Sequence, residues 1–398
     1  MTSTECQPQT DDQGQIARSP DAPIKATQPS PRPRLGALDS FRGLTVAGMI
    51  IVNTAGSDKY IWWPLDHAAW HGFTPTDFVF PAFLCAMGVA LGLSFPRTVD
   101  AKLWRRVAWR VFALIAIGFA WRLLVQGSLG QWDLENFRLF GVFQRLGLCF
   151  GLAAAFAILT ARRAPDGKKR LNPSAILIAI IVLVLGYWAV MAFGGDYTPE
   201  GNLAGQIDRI VLGVNHMWRA GTDAAGNVVY DPEGLLSTLP ATANVLFGLL
   251  AALAWQRWGN RSTLWIALAG VALTLLGLAL APYFPLNKRI WTSSFVLLTT
   301  GLSALLFAGC IVATKSEAVR RLFVPFDVFG MNAILAYMVS LLIGLGGMRL
   351  GYQASSFAAI DGVIHAPYVS SFLYALAVLL ITLALLIPLH RRGIHLRL

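Results

Sequence analysis

The chain has 398 residues, 56% hydrophobic and only 13% charged, whereas soluble proteins carry charge on roughly a quarter of their residues. Apolar runs long enough to cross a hydrocarbon core of ~30 Å recur along nearly its whole length. The net charge of +11 lies in short clusters between those runs, as in cytoplasmic loops. No basic stretch is interleaved with base-stacking aromatics, which argues against a nucleic-acid-binding module.

In chain order, residues 1–34 are rich in Pro, Gln, Ser, Thr and Asp and hold no apolar stretch of the kind a signal peptide needs. They read as a disordered cytoplasmic tail. Residues 35–398 read as one membrane domain with spans near 36–56, 74–95, 104–125, 138–160, 174–194, 237–256, 262–282, 291–313, 323–345 and 368–389. The expected fold is therefore an all-α polytopic membrane protein, about ten transmembrane helices around a central polar cavity. Arg105, Arg106 and Arg110 crowd one end of the third span and Arg122 the other, where long side chains can snorkel to the two interfaces.

With the N-terminus cytoplasmic, most of the basic residues fall on the cytoplasmic side, including Arg162, Arg163, Lys168, Lys169, Arg170, Arg391 and Arg392. Both termini then face the cytoplasm and the loop after the first span faces the other compartment. The longest loop, about 195–236, lies on that far side. It carries Asp196, Glu200, Asp208, Asp223, Asp231 and Glu233, and its composition predicts an ordered extracytoplasmic lid rather than a passive linker. Of four cysteines, Cys85, Cys149 and Cys310 sit in apolar segments without a Cys-x-x-Cys partner. They support no metal or redox site.

Chemistry concentrates at Asp66-His67-Ala68-Ala69-Trp70-His71-Gly72-Phe73-Thr74-Pro75-Thr76-Asp77, which holds two of the chain's six histidines at a membrane boundary. Ionisable groups are costly there, so they mark function by default. His67 is suited to carry a proton or an acyl group near neutral pH; the plainer alternative is an interfacial histidine bonded to headgroups. Asp77 caps the second span or orients an imidazole, as the acid of a triad does. A metal pair from His67 and His71 would need a helix that Gly72 and Pro75 oppose, and no third ligand is evident.

Asp39 and Arg42 stand three apart on one helical face, either paired or set to meet an anion. Arg145 lies too deep in its span to face lipid and is expected to line the cavity or to meet a carboxylate. His216 and Glu233 are the distinctive polar residues of the lid. Lys288 is a cation on the side where positive charge is scarce, either an anchor or an attractor of anions. Asn53, Asn244 and Asn332 are polar groups within or ending spans, for which interhelical hydrogen bonding is the default.

Seven blocks in register carry a family resemblance over nearly all the chain beyond the tail. They are Leu38-Asp39-Ser40-Phe41-Arg42-Gly43, Val52-Asn53, the His67–Pro81 block, Gln144-Arg145-Leu146-Gly147, Tyr230-Asp231-Pro232-Glu233-Gly234, Asn287-Lys288 with Trp291, and Gly330-Met331-Asn332. In these the chain resembles the heparan-α-glucosaminide N-acetyltransferases and their bacterial inner-membrane relatives, the NagX-type proteins of amino-sugar use. The resemblance implies transfer of acetyl from cytoplasmic acetyl-CoA to the amino group of a glucosamine-type sugar beyond a bacterial inner membrane. It assigns His67 as acetyl carrier or general base and Asn53 as an active-site residue, with Asp77 or His71 available as a base. Asp39, Arg42, His71, Arg145, His216, Glu233, Lys288 and Asn332 are the remaining candidates for binding donor or acceptor. Position 71 is Asn in the family pattern, so His71 is a departure, and the interval from Asn53 to His67 is a few residues longer. A secondary transporter of an amino sugar and an O-acetyltransferase acting on a surface glycan are the competing readings, and self-association stays open.

Overall fold

The computed structural model describes residues 35–394 apart from Arg97 and Gln131. The expected cytoplasmic tail, residues 1–34, lies outside the described residues. Thirteen helices are present among them: α1 (Gly36–Asn53), α2 (Pro75–Ser94), α3 (Ala101–Ser128), α4 (Val142–Leu159), α5 (Pro173–Gly194), α6 (Leu203–Val211), α7 (Thr238–Trp258), α8 (Ser262–Leu280), α9 (Ser293–Ala313), α10 (Glu317–Met331), α11 (Ala333–Leu350), α12 (Tyr352–Ile364) and α13 (Pro367–Arg391). Two two-residue strands, Arg162–Arg163 and Lys169–Arg170, pair antiparallel after α4.

Helix starts follow local chemistry. Proline fills the first position of α2 and α5, where its missing N–H is no loss. Asp100 caps α3 by accepting from Leu103 N at 2.8 Å, and Asn202 caps α6 by accepting from Gly205 N at 2.7 Å. Gly351, at φ 74°, ends α11 in the left-handed region that a β-carbon disfavours.

Eight segments are long and apolar enough to cross a membrane, and one of them, Thr238–Leu280, is α7 and α8 joined by a 3-10 turn. α1 is less apolar because Asp39 and Arg42 fall within its 18 residues. All ten spans expected from the sequence thus have a helix. The protein is an all-α polytopic membrane protein. The ninth span differs in position: the apolar run 323–345 is broken at Asn332, whose backbone (φ −124°, ψ 39°) leaves the helix. α10 is a separate helix with Pro325 inside it, and the spanning helix is α11.

Burial separates an inner from an outer layer. The spanning windows of α2, α9 and α4 are 72%, 67% and 61% buried, against 22% for α3 and 28% for α5 and α13. Outer helices turn large apolar side chains outwards, such as Phe193 on α5 and Trp265 on α8, as hydrocarbon contact requires. The interior is polar at its centre, where buried Asn244 on α7 donates to Thr300 Oγ1 at 2.9 Å.

α2 is held by close backbone approach. A β-carbon on Gly88 would run into the Val245 carbonyl of α7, and one on Gly248 of α7 would run into the Cys85 carbonyl of α2. This reciprocal small-residue crossing is how membrane helices gain packing without a hydrophobic driving force. Gly88→Val is therefore expected to destabilise the protein by about 1–3 kcal/mol through overpacking. Gly186→Ala on α5, where a β-carbon meets nothing within 4 Å, leaves the thermal midpoint in detergent unchanged; equal midpoints for the two variants would contradict this packing.

Candidate active site

The segment between α1 and α2 folds back on the start of α2. Its polypeptide turns at Gly72 (φ 125°), whose N–H donates to Leu286 O at 2.8 Å. Thr74 Oγ1 donates to Asp66 O at 2.6 Å, and Thr76 Oγ1 to Pro64 O at 3.0 Å. These bonds hold His67 beside the first turn of α2. There Asp77, completely buried, divides its two oxygens. Oδ2 accepts from Thr74 N at 3.1 Å and Ala68 N at 3.2 Å, while Oδ1 lies 2.7 Å from His67 Nδ1. The two readings of Asp77, helix cap and imidazole partner, are both realised by one carboxylate. Because a carboxylate only accepts, Nδ1 carries the proton and Nε2 keeps its lone pair.

A second loop, 281–292, brings the cation. Asn287 organises it: its side-chain oxygen accepts from Ile290 N at 3.0 Å and its own N–H donates to Thr292 Oγ1 at 3.1 Å. Trp291 is forced to φ 53°, a region bulky residues rarely occupy. It is nevertheless buried and donates from Nε1 to Asn244 Oδ1 at 3.0 Å. The turn sets Lys288 Nζ 3.0 Å from His67 Nδ1, 3.3 Å from its Nε2 and 3.5 Å from Asp77 Oδ1. The site is therefore a histidine, a carboxylate and an amine in mutual contact.

Burial holds the His67 imidazole below its ordinary value of 6.5, with Lys288 and Arg289 adding to the effect and the Asp77 hydrogen bond opposing it. Burial likewise lowers Lys288 to about 8, against the attraction of Asp77. His67 remains reachable, its side chain 33% exposed. His71 sits next door with Nδ1 3.4 Å from Asn287 Nδ2, its basicity lowered by burial.

The long loop is ordered, with α6 inside it and a bridge between Thr222 and Val228. It is tied to the His67 segment through Trp70, whose Nε1 donates to Tyr197 O at 2.7 Å and whose ring packs edge-on against Tyr230. Its base is clasped by charge. Arg138 forks onto Asp231, through Nε at 2.8 Å and Nη2 at 2.6 Å, and also reaches Glu233. Arg145 is fully buried, donates to Gly234 O at 3.2 Å and to Ser237 Oγ, and stacks 4.9 Å above the Trp291 ring. Arg145 does not bond a carboxylate: its hydrogen bonds go to a carbonyl and a hydroxyl and its guanidinium stacks on an indole, while its Nε and Nη1 are buried with no hydrogen-bond partner. Its position nevertheless joins the lid to the turn that carries Lys288.

The remaining candidates are distributed as follows. His216 pins the lid to the α3–α4 loop, with Nδ1 2.8 Å from Phe137 O. Asn53 ends α1 and donates to Met49 O at 2.7 Å. Asp39, Arg42 and Asn332 lie at the opposite end of α1, where α10 crosses it so closely that Gly330 abuts the Asp39 carbonyl and Gly43 the Phe326 carbonyl. Fourteen residues of helix separate Asp39 from Asn53, about 21 Å, so these three are not brought to His67. Arg138 escaped the sequence reading, because an arginine between two apolar spans looks like an ordinary flanking charge. Among the described residues, no three His, Cys, Asp or Glu side chains are grouped to hold a metal ion.

Fold and site together define a multi-pass membrane protein with a histidine-centred polar site at one membrane face, under an ordered loop. Comparison with known proteins carries this further. Residues 34–197 match the family described as heparan-alpha-glucosaminide N-acetyltransferase, catalytic. The Homo sapiens heparan-alpha-glucosaminide N-acetyltransferase is 30% identical over 357 residues, covering 77% of this chain and 52% of that protein. The Mus musculus protein of the same name is 28% identical over 362 residues, covering 78% and 54%. The resemblance read from the sequence is borne out: the chain is a relative of these N-acetyltransferases, and spans about half the length of the curated proteins it matches.

The lid contains one buried acid outside the clasp. Burial raises Asp208 from 3.8 to about 7, with Asp231 adding to the effect and a hydrogen bond from Leu235 N opposing it. A carboxyl whose folded-state value is raised contributes stability that is complete below 3.8 and is lost as pH rises through about 7. Amide exchange in α6, corrected for intrinsic rates, should be slower at pH 5.5 than at pH 8. Asp208→Asn should flatten that dependence; an unchanged dependence in the variant would remove Asp208 as its source.

Proposed function

We propose that this protein is a transmembrane acetyltransferase. In this reading it moves acetyl from cytoplasmic acetyl-CoA to the amino group of a glucosamine-type sugar beyond a bacterial inner membrane, with both termini in the cytoplasm. The observation that carries the reading is His67, polarised through Nδ1 by Asp77, with Lys288 alongside. Two relatives bearing the name of an N-acetyltransferase support the reaction class.

The chemistry follows from the site. Neutral His67 presents the Nε2 lone pair, as nucleophile or as base. As nucleophile, Nε2 bonds to the acetyl carbonyl carbon and the C–S bond breaks, releasing the thiolate of CoA. Asp77 holds the positive ring in place through Nδ1–H, as the acid does in a triad. The amine of the sugar then attacks the acetyl carbon, the C–N bond to the ring breaks, and the amine's surplus proton passes to a base, either His67 itself or His71. As base, His67 instead takes that proton while amine and thioester meet directly. In both routes the Lys288 ammonium is placed to offset negative charge developing on the carbonyl oxygen.

Such a division of labour suits a membrane. An acetyl group is small and neutral, whereas CoA is large and anionic and stays on its own side. Asp39, Arg42 and Asn332, at the far end of α1 from His67, are then suited to the donor's side, and the lid with Glu233 and His216 to the acceptor's.

Purified protein given acetyl-CoA and glucosamine should release free CoA, and His67→Ala should slow release by about 10²–10⁴-fold. Wild-type turnover by that variant would remove His67 from the reaction. The rate should rise with pH as the imidazole becomes neutral, at a value below 6.5, and fall as Lys288 loses its proton near 8. Lys288→Arg keeps a cation at all these pH values, so its alkaline limb should move up or vanish; an unmoved limb would show that another group titrates there.

A further inference from the structure

A second feature lies at the other end of α2 and α4. Ser94 closes α2, Phe150 stands midway along α4, and the opening turns of α3 bring Arg105, Arg106 and Arg110 between them. Together they line a cleft of about 780 Å³, within the range of roughly 300–1,000 Å³ that ligand pockets occupy. None of its lining residues belongs to the His67 site.

Its chemistry is divided. One rim is cationic: Arg105 and Arg106 are exposed, and Arg110 stacks with its guanidinium carbon 5.1 Å from the centre of the Phe150 ring. The rest of the wall is almost wholly apolar. Among the described lining residues, Ser94 is the one hydroxyl and already donates to Ala90 O at 2.7 Å; the Trp109 indole is the other neutral polar side chain among them, on a residue 61% exposed. The hairpin that follows α4 adds Arg162, Arg163, Lys169 and Arg170 at the same end of the bundle.

A nucleotide-bearing ligand would suit the rim but not the wall, because its base and amides would be desolvated against described residues that offer them almost no hydrogen-bond partners. A hydrocarbon chain needs no partners. Basic pockets between membrane helices are where anionic headgroups are captured, and a half-exposed tryptophan beside arginines marks the interface where a headgroup sits. We propose that this cleft binds an anionic phospholipid, its phosphate against Arg105, Arg106 and Arg110 and an acyl chain along the apolar wall beside Phe150.

The test compares thermal unfolding of the whole protein in detergent with phosphatidylglycerol, phosphatidylcholine or CoA added. Phosphatidylglycerol should raise the midpoint by about 4 °C or more over phosphatidylcholine at equal concentration. Arg105→Gln with Arg106→Gln should lose at least half of that rise while leaving the Arg110–Phe150 contact in place, and adding Arg110→Gln should abolish it. CoA alone should give no rise that depends on these arginines. Equal midpoints with the two lipids, or a phosphatidylglycerol effect undiminished in the double variant, would overturn the proposal. A CoA-induced rise lost in the double variant would overturn it too, assigning the cleft to a nucleotide phosphate. The outcome is separable from the acetyltransferase reading, since His67→Ala leaves this cleft intact.

Discussion

Everything at the proposed site turns on where one carboxylate can find hydrogen bonds at the edge of a membrane. Asp77 is completely buried, and an ionised group there persists only if its lone pairs are used. Two backbone N–H groups of the loop occupy one oxygen, and the imidazole occupies the other. The same bonds that end the loop and begin α2 therefore fix the tautomer of His67. Structure and reactivity share a single set of contacts, so the site cannot loosen without loosening the start of the helix.

The surroundings keep that arrangement rigid. α2 is gripped by α7 through Gly88 and Gly248, and α7 carries Asn244, which holds Trp291 and with it the turn bearing Lys288. Arg145 bridges Trp291 to the base of the lid. A buried guanidinium in a span is expensive, and here it is spent on joining three chain segments rather than on an ion pair. The lid in turn reaches back to Trp70, three residues from His67. The polar site is thus enclosed by a loop of contacts that begins and ends beside the same histidine.

Much of this was legible from residues alone, and the reasons for the rest are physical. Membrane spans announce themselves because an unpaired backbone cannot lie in hydrocarbon, so long apolar runs must be helices. His67 and Asp77 could be read as partners because ten residues of turn-forming chain bring them within reach. Lys288 was visible as a scarce cation, but its contact with His67 spans 221 positions and no local pattern encodes it. The break at Asn332 lies in a run apolar enough on average to read as one span despite Pro325, Asp327 and Gly330, and average hydropathy carries no sign of a change of direction. Arg138 was missed for a similar reason: its worth comes from Asp231 and Glu233, more than ninety residues away.

CoA release by Asp77→Asn isolates the role of this carboxylate. The substitution retains an oxygen that can cap α2 but removes the charge that keeps the proton on His67 Nδ1, and the equivalent change in a serine-protease triad costs about 10⁴-fold. A folded variant slowed by about 100-fold or more, with midpoint near wild type, is expected if Asp77 sets the tautomer of His67. A folded variant that turns over at the wild-type rate would contradict it.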